Sequence, residues 1–363
     1  MNQIITSTRE HVSKFLNSHQ GIVVPVIAVL LAFAFGMIVV VAMGVPLNNA
    51  LGAFWQGAFG NAYAISASLN RAVVLALVGI GFVIANRAGL TNVGGEGQIA
   101  VGGIAATALC LTPGIADLPF GLSFLIPLVG AAFVGGIWGA LAGVLKTRSG
   151  TNEVISTLLL SFIGTGLLYW SVQSENLLRQ PMTSSSTLPE SASIPMATQV
   201  PLLTGSYASP VTYGLPILLL LAVIAALVLS RSIFGFQLRS VGHNPTAAAR
   251  AGISVGLTLT LALFIAGAFG GLAGGVMLQG EQYSLKAGFS SGFGFDGLVV
   301  GLLARGSVPG VIAGALLFGF MRSGGISMEM IATVPSSLVG VIQGLIVLLI
   351  AGAAYYLDKR TTP

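Results

Sequence analysis

The stretch AGLTNVGGEGQIAVGG, residues 88–103, sets an Asn, a Glu and a Gln within seven residues, among glycines, at the mouth of an apolar segment. Its surroundings are long uncharged runs. A helix broken inside a membrane frees backbone groups, and these are tolerated only against protein or a water-filled cavity. Glycines let the chain turn and pack closely at such a break. A carboxylate just inside the following helix meets the positive end of the helix dipole. Glu96 is therefore an expected N-terminal acid, and Asn92, Glu96 and Gln98 are candidates to line a passage at the break.

The pattern returns as AGFSSGFGFDG, residues 287–297. Ala-Gly, an apolar residue, a hydroxyl residue and a Gly-rich turn lead to an acid followed by Gly in both copies. A Val-Gly follows each, at Val101-Gly102 and Val300-Gly301. The acids are Glu96 and Asp296. Phe293 and Phe295 flank the second turn, where an aromatic face can stack on a base or pack in the core. Two readings of the acids stay open. They stabilise helix starts, with Arg87 and Arg305 as candidate partners, or they line a translocation route, which in its ion-coupled form makes the chain a secondary transporter using Glu96 and Asp296.

Composition decides the setting. Of 363 residues, 55% are hydrophobic and 7% charged, against about 25% charged in soluble domains. The expected fold is an all-α polytopic membrane protein. A ruler of about 20 apolar residues per crossing places spans at 22–45, 69–86, 96–112, 122–145, 153–172, 211–230, 254–278, 293–304, 308–325 and 331–354, about ten transmembrane helices. The run from Ile22 is too long for a signal-peptide core and reads as a retained first span. Segment 47–68 is broken by Gly and Asn and is expected at the membrane interface. The domain plan is a tail over 1–21, one transmembrane domain over 22–354 with an outer loop at 173–210, and a tail over 355–363. With the N-terminus in the cytoplasm, the inner side receives Arg9, Lys14, Arg87, Lys146, Arg148, Arg231, Arg239, Arg250, Arg305, Lys359 and Arg360. The outer side receives only Arg71, Arg179, Lys286 and Arg322. This bias places both termini inside. The two copies of the pattern then open the third and eighth spans. Five spans separate them, so they face opposite sides, the signature of a 5+5 inverted repeat with a site near the midplane.

Between the sixth and seventh spans lies RSVGHNPTAAARAGISVG, residues 239–256. Asn244 suits an N-cap and Pro245 the first helical turn. The alanines favour helix and Gly252 suits its end. A short cytoplasmic helix over 244–252 is expected, either seated in a partner's groove or lying on the bilayer. Asn152 and Glu153 open the fifth span as a cap and a first-turn acid, or as a gate or partner contact. Gly135, Gly139 and Gly143, and Gly267, Gly271 and Gly275, form ladders that let helices approach closely. Gly252-Ile-Ser254-Val-Gly256 and Gly288-Phe-Ser290-Ser-Gly292 match a serine-nucleophile pattern, which requires a strand before the serine and a histidine in reach; neither is expected here. None of the four lysines follows a glycine, so a phosphate-binding loop is not encoded.

Taken together, NVGGEGQIAVGG (92–103), GTNEVISTLLLSFIG (150–164), GHNPTAAARAGI (242–253) and GFGFDGLVVGLLARGSVPGVIAGALLFG (292–319) resemble the permease subunits of bacterial ABC importers for nucleosides and related simple sugars. The resemblance covers roughly 70–350. It implies a fold similar to the membrane domain of the vitamin B12 importer, in the inner membrane. It implies that His243, Asn244, Pro245, Ala248, Arg250, Ala251 and Gly252 form the coupling helix that docks on an ATP-binding subunit of two fused cassettes. ATP and Mg would be bound there, and this chain would need no cofactor or metal of its own. The other implied partners are a second related permease and a periplasmic or lipid-anchored substrate-binding protein. Nucleosides are the leading substrate and ribose-like or other simple sugars the alternative. Gly94-Gly95 fills a turn where relatives often carry a bulkier residue before the Glu.

Overall fold

The computed structural model describes residues 20–119, 121–181 and 188–361, with the side chains at 20–25, 351 and 353–361 excepted. Most of the expected N-terminal tail, with Arg9 and Lys14, lies outside the described residues. The helices are α1 (Gln20–Ala42), α2 (Leu47–Phe59), α3 (Ala62–Arg87), α4 (Gly95–Cys110), α5 (Leu122–Ser149), α6 (Glu153–Gln173), α7 (Gly214–Arg231), α8 (Ile233–His243), α9 (Pro245–Arg250), α10 (Val255–Met277), α11 (Phe293–Leu303), α12 (Val308–Ala332) and α13 (Ser337–Thr361). Among the described residues there is no β-strand, only isolated bridges such as Glu190 with Lys286.

Every expected span carries a helix. Among the described residues six helices are long and apolar enough to cross a membrane: α3, α5, α6, α7, α10 with its continuation to Gln282, and α12. The chain is a multi-pass membrane protein. Several boundaries differ from those expected. Segment 47–68 forms α2 and the start of α3, broken at Gly60-Asn61, where Asn61 caps α3 by accepting from the Ala64 N–H at 2.8 Å. α12 runs on to Ala332, because Met328, Glu329 and Met330 are good helix formers. The chain breaks instead at Thr333-Val334-Pro335, where the proline disfavours helix before it and Thr333 takes a φ of 56°.

The chain divides into two compact units, one of the residues up to Ala58 with those from Met321, the other Phe59–Phe320. In the first, α1 packs on α13, with Gly36 against Ile342, and Phe33 meets Phe54 edge-on at 5.2 Å.

The second unit has an inner and an outer set of helices. α3, α4 and α10 are largely apolar and mostly buried, without a polar face, as expected of helices at the centre of a bundle. α5, α6 and α7 turn Phe133, Ile137, Leu159, Phe162, Leu220 and Val223 outward, a surface suited to lipid. The two glycine ladders pack on each other. A Cβ on Gly135 would lie 2.6 Å from the Gly271 Cα, and one on Gly143 would lie 2.8 Å from the Thr260 Cα. The α5–α10 seam is thus backbone against backbone inside one unit, where small residues replace the missing hydrophobic drive between helices in lipid.

Candidate functional site: the meeting of two helix starts

After α3 ends at Arg87 the chain turns at Gly89, whose φ is +74°, and runs back beside α3. A Cβ on Gly95, the first residue of α4, would lie 3.0 Å from the Val78 side chain, partway along α3. The returning segment is buried and non-helical, so its polar groups need partners within the protein. α6 supplies two. The Val93 N–H donates to Thr157 Oγ1 at 3.1 Å, and Ser161 Oγ donates to the Val93 carbonyl at 3.3 Å. Asn92 supplies another, accepting from the Gly94 N–H at 2.9 Å. Its amide also pairs reciprocally with that of Gln98, at 3.1 and 3.2 Å. Asn92 and Gln98 are 6% and 2% exposed, so both amides are spent on each other.

α11 arises from the matching turn. Gly288 has a φ of +76°, against +74° at Gly89, and Gly292 has +81°. α11 then runs alongside α3 in the same direction, with Gly297 beside Val78 and Gly301 beside Phe82. α4 leaves the other way: it follows α10, with Gln98 by Gly270 and Ile99 by Gly274, and α10 passes α3 with Val276 near Val73 and Ala266 against Gly81. At 16 and 11 residues, α4 and α11 are about 24 and 17 Å long, each short of the roughly 30 Å hydrocarbon core.

The two starts touch. Gly294 of α11 lies so close to the Glu96 backbone that a Cβ there would collide with its N and Cα. Glu96 reaches across this contact. One carboxylate oxygen accepts from the Gly292 N–H and the other from the Gly294 N–H, both at 2.8 Å. The side chain is buried at 7%. Glu96 thus caps the helix of the other copy as well as standing in the first turn of its own. It does not pair with Arg87, whose guanidinium donates to the Gly306 carbonyl at 2.6 Å. Asp296 is half-exposed on α11. Phe293 is buried at 6%, and Phe295 is 39% exposed, so only Phe295 offers a face outward.

The other site candidates lie elsewhere. Asn152 caps α6, accepting from the Val154 N–H at 2.9 Å. Glu153 accepts from Lys146 at 2.5 Å, closing the α5–α6 turn. Asn244 caps α9 through the Ala247 N–H at 3.0 Å, with Pro245 in the first turn. The helix ends with Gly252 at φ +85°, Gly252 N–H on the Ala249 carbonyl and Ile253 N–H on the Ala248 carbonyl, a Schellman closure. His243, Asn244, Pro245, Arg250, Ala251 and Gly252 are all exposed, whereas Ala248 is buried at 4% and faces the protein's own interior.

Sequence reasoning missed two joints. Thr157 and Ser161 read only as hydroxyls in an apolar helix; their spacing of four, on one face, was the available sign that they serve a neighbouring backbone. Gly242, at the end of α8, abuts the turn after α3: a Cβ there would lie 3.1 Å from the Ala88 carbonyl carbon and Gly89 N. No local signal marks that contact. Ser254 precedes α10 and Ser290 sits in a turn before α11, with no strand leading to either. Among the described residues no three His, Cys, Asp or Glu side chains converge as a metal site requires.

Residues 64–351 match the family model described as branched-chain amino acid transport system / permease component. The chain is similar to the guanosine ABC transporter permease protein NupP of Bacillus subtilis, 33% identical over 92% of this chain and 93% of that one. It is similar to the glucose ABC transporter permease protein TsgB13 of Haloferax volcanii, 32% identical over 93% and 88%. It is also similar to the nucleoside ABC transporter permease protein NupB of Lactococcus lactis subsp. cremoris, 31% identical over 92% of each. No solved structure matches it.

Proposed function

The chain belongs to the family of branched-chain amino acid transport system permease components, and we propose that within it the chain is the membrane-spanning permease subunit of an ATP-driven ABC importer of nucleosides. The observation that carries this reading is similarity along nearly the whole chain to permeases named for guanosine and for nucleosides. The glucose permease at similar identity keeps simple sugars as the second reading.

The proposed assembly contains an ATP-binding subunit of two fused cassettes, a second related permease and a periplasmic or lipid-anchored binding protein. ATP and Mg belong to the first of these, since this sequence encodes no phosphate-binding loop. The proposed setting is the bacterial inner membrane with both termini cytoplasmic. The transmembrane domain over 22–354 has ten spans arranged as a 5+5 inverted repeat similar to the vitamin B12 importer's membrane domain. The opposed directions of α4 and α11, each following a glycine turn, support the repeat.

In this reading α9 is the coupling helix. It is short, capped at both ends and exposed except at Ala248, which suits a rigid peg. It packs against α8 and α10. α8 in turn leans through Gly242 on the turn at 87–89, which leads to the junction of α4 and α11. Closure of the ATPase would thus push α9 and shift the junction, rocking the bundle between outward and inward states. In this reading the exposed Phe295 and the half-exposed Asp296 are the junction residues that would meet a solute. Asn92, Glu96 and Gln98, bonded within the protein, hold the junction's shape.

Native mass spectrometry of the chain purified from its own membranes tests the assembly. Co-purifying ATPase and second permease subunits are the expected result; a lone chain or bare homodimer in several detergents would overturn it. Uptake of radiolabelled nucleoside, competed by unlabelled nucleosides but not by ribose or glucose, separates the two substrate readings. Arg250→Glu and Gly252→Pro are expected to uncouple ATP hydrolysis from uptake while the chain still inserts, and unchanged uptake in both would remove α9 from the coupling role.

A further inference from the structure

A positive-inside bias explains why basic residues stand near one end of the spans. It does not explain why several of them converge on one cleft. Arg87 at the end of α3, Arg239 and His243 on α8, and Arg305 in the turn after α11 line a cavity of about 220 Å³. An adjoining cleft of about 500 Å³ shares Arg87 and Arg239 and continues over Ala226 and Leu229 of α7 and Val308 and Pro309 of α12. Among the described residues no acidic side chain lines either space. Among the described residues none of the three arginines forms an ion pair.

Two of the arginines have backbone partners. Arg87 donates to the Gly306 carbonyl at 2.6 Å, and Arg239 donates to the Leu229 carbonyl. These bonds orient the guanidinium groups; the Leu229 carbonyl lies in the last turn of α7, where basic residues commonly donate, and the Gly306 carbonyl lies in the turn between α11 and α12. Each guanidinium has five N–H donors in a planar fork, so one bond to a carbonyl leaves most of the fork available. Three such forks over a cavity with no carboxylate form an anion site, and the fork matches phosphate oxygens in pairs.

The location narrows the anion. The cavity lies where α3 and α7 end and α12 begins, and all three are helices long and apolar enough to cross a membrane. That is headgroup depth. The cavity shares Arg87, Arg239 and Gly306 with a cleft whose further walls are Ala226, Leu229, Ser230, Ser307, Val308 and Pro309, a mostly apolar surface that suits hydrocarbon. A charged end and an apolar end in one continuous groove fit a phosphate diester carrying acyl chains better than a free phosphate. We propose that this groove binds an anionic phospholipid, its phosphate among Arg87, Arg239 and Arg305 and its chains along α7 and the start of α12. The same cavity is walled by Gly89 and Gly242, the contact through which α8 leans on the turn after α3. A bound headgroup therefore bridges the elements that carry motion from α9 and stiffens their joint. This inference needs the membrane setting alone and holds whatever solute the chain moves.

The test uses the full-length chain with any co-purifying subunits, stripped of lipid in detergent. It is titrated in turn with dioctanoyl-phosphatidylglycerol, dioctanoyl-phosphatidylcholine and inorganic phosphate. The thermal midpoint is followed, and native mass spectrometry counts the lipids retained. Phosphatidylglycerol is expected to raise the midpoint and remain bound as one copy per chain. Arg239→Gln and Arg305→Gln should each weaken it about fivefold, and together about 25-fold, from about 1 kcal/mol per basic residue. Arg305→Lys, keeping the charge on an exposed turn, should recover most of the loss. Arg148→Gln, exposed on α5 away from the groove, should leave the affinity unchanged. Equal stabilisation by phosphatidylcholine, or by inorganic phosphate at the same concentration, would overturn the proposal. So would a loss at Arg148→Gln matching that at Arg305→Gln, or no loss at any of the variants.

Discussion

Glu96 and Asp296 are the acids of two copies of one pattern, the second residue of α4 and the fourth of α11, each in the first turn of a short helix. Glu96 is buried and gives both oxygens to backbone N–H groups of the opposite copy at 2.8 Å. Asp296 is half-exposed on its own helix. The difference follows from electrostatics. Where α4 and α11 meet start to start, two positive helix ends face each other, each equivalent to roughly half an elementary charge. One carboxylate between them balances both. A second in the same space would meet the first as a like charge, which disfavours both. The contact therefore uses one acid, and the other turns outward.

The largest expected effect follows from that wiring. Glu96→Ala leaves the N–H groups of Gly292 and Gly294 without acceptors, at about 1–3 kcal/mol each. A loss of about 4 kcal/mol is expected in unfolding titrations in mixed micelles. Glu96→Gln keeps one acceptor oxygen and should lose about half as much. If Asp296→Ala cost as much as Glu96→Ala, the two copies would be equivalent and the asymmetry would fall.

The glycines sharpen the comparison next. A Cβ on Gly294 would collide with the Glu96 backbone, whereas one on Gly95 would meet the Gly294 oxygen and the Val78 side chain at 3.0 Å. Gly294→Ala must separate two backbones, and about 3 kcal/mol is expected on the scale of overpacking. Gly95→Ala presses partly on a side chain that can adjust and should cost about 1 kcal/mol. Equal losses would mean that the junction yields as a whole.

A smaller effect tests the bonds that close the first turn. Asn92 and Gln98 spend their amides on each other, and the second copy carries Ser291 and Leu298 at the corresponding places. Asn92→Ala, Gln98→Ala and the double variant should show a coupling of about 1 kcal/mol. A coupling near zero would mean that Asn92 acts only through its bond to the Gly94 N–H.

These residues also show where sequence reading works and where it stops. The capped helix at 245–250 was legible because its signals are local: Asn244, Pro245 and Gly252 each act within one turn. The spans were legible because bilayer thickness sets a length, although their ends moved where good helix formers continued past an expected boundary, as in α12. That Glu96 and Asp296 begin helices was legible from Gly-rich turns followed by apolar runs. That Glu96 serves the other helix was not, because its partners lie 196 and 198 residues away and backbone N–H groups leave no mark on the sequence. Ala248 illustrates the same limit: its residue type suits a partner's groove, but the face it occupies depends on how α9 packs on α8 and α10.

The smallest expected effect bears most directly on function. Asp296→Asn keeps a polar side chain of the same shape in the first turn of α11 and removes the charge, whose interaction with the helix end is about 0.5 kcal/mol at a partly exposed site. The unfolding midpoint should hardly move. Uptake driven by ATP should continue, because the junction is held by Glu96 and not by this residue. Uptake measured in vesicles with a pH gradient and no ATP should be absent in both the parent and the variant. If instead a pH gradient alone drove uptake in the parent and Asp296→Asn abolished it, the outward-turned acid would be a proton-coupling group. The asymmetry between the two copies would then divide structural work from transport work, with Glu96 holding the helices together and Asp296 carrying the ion.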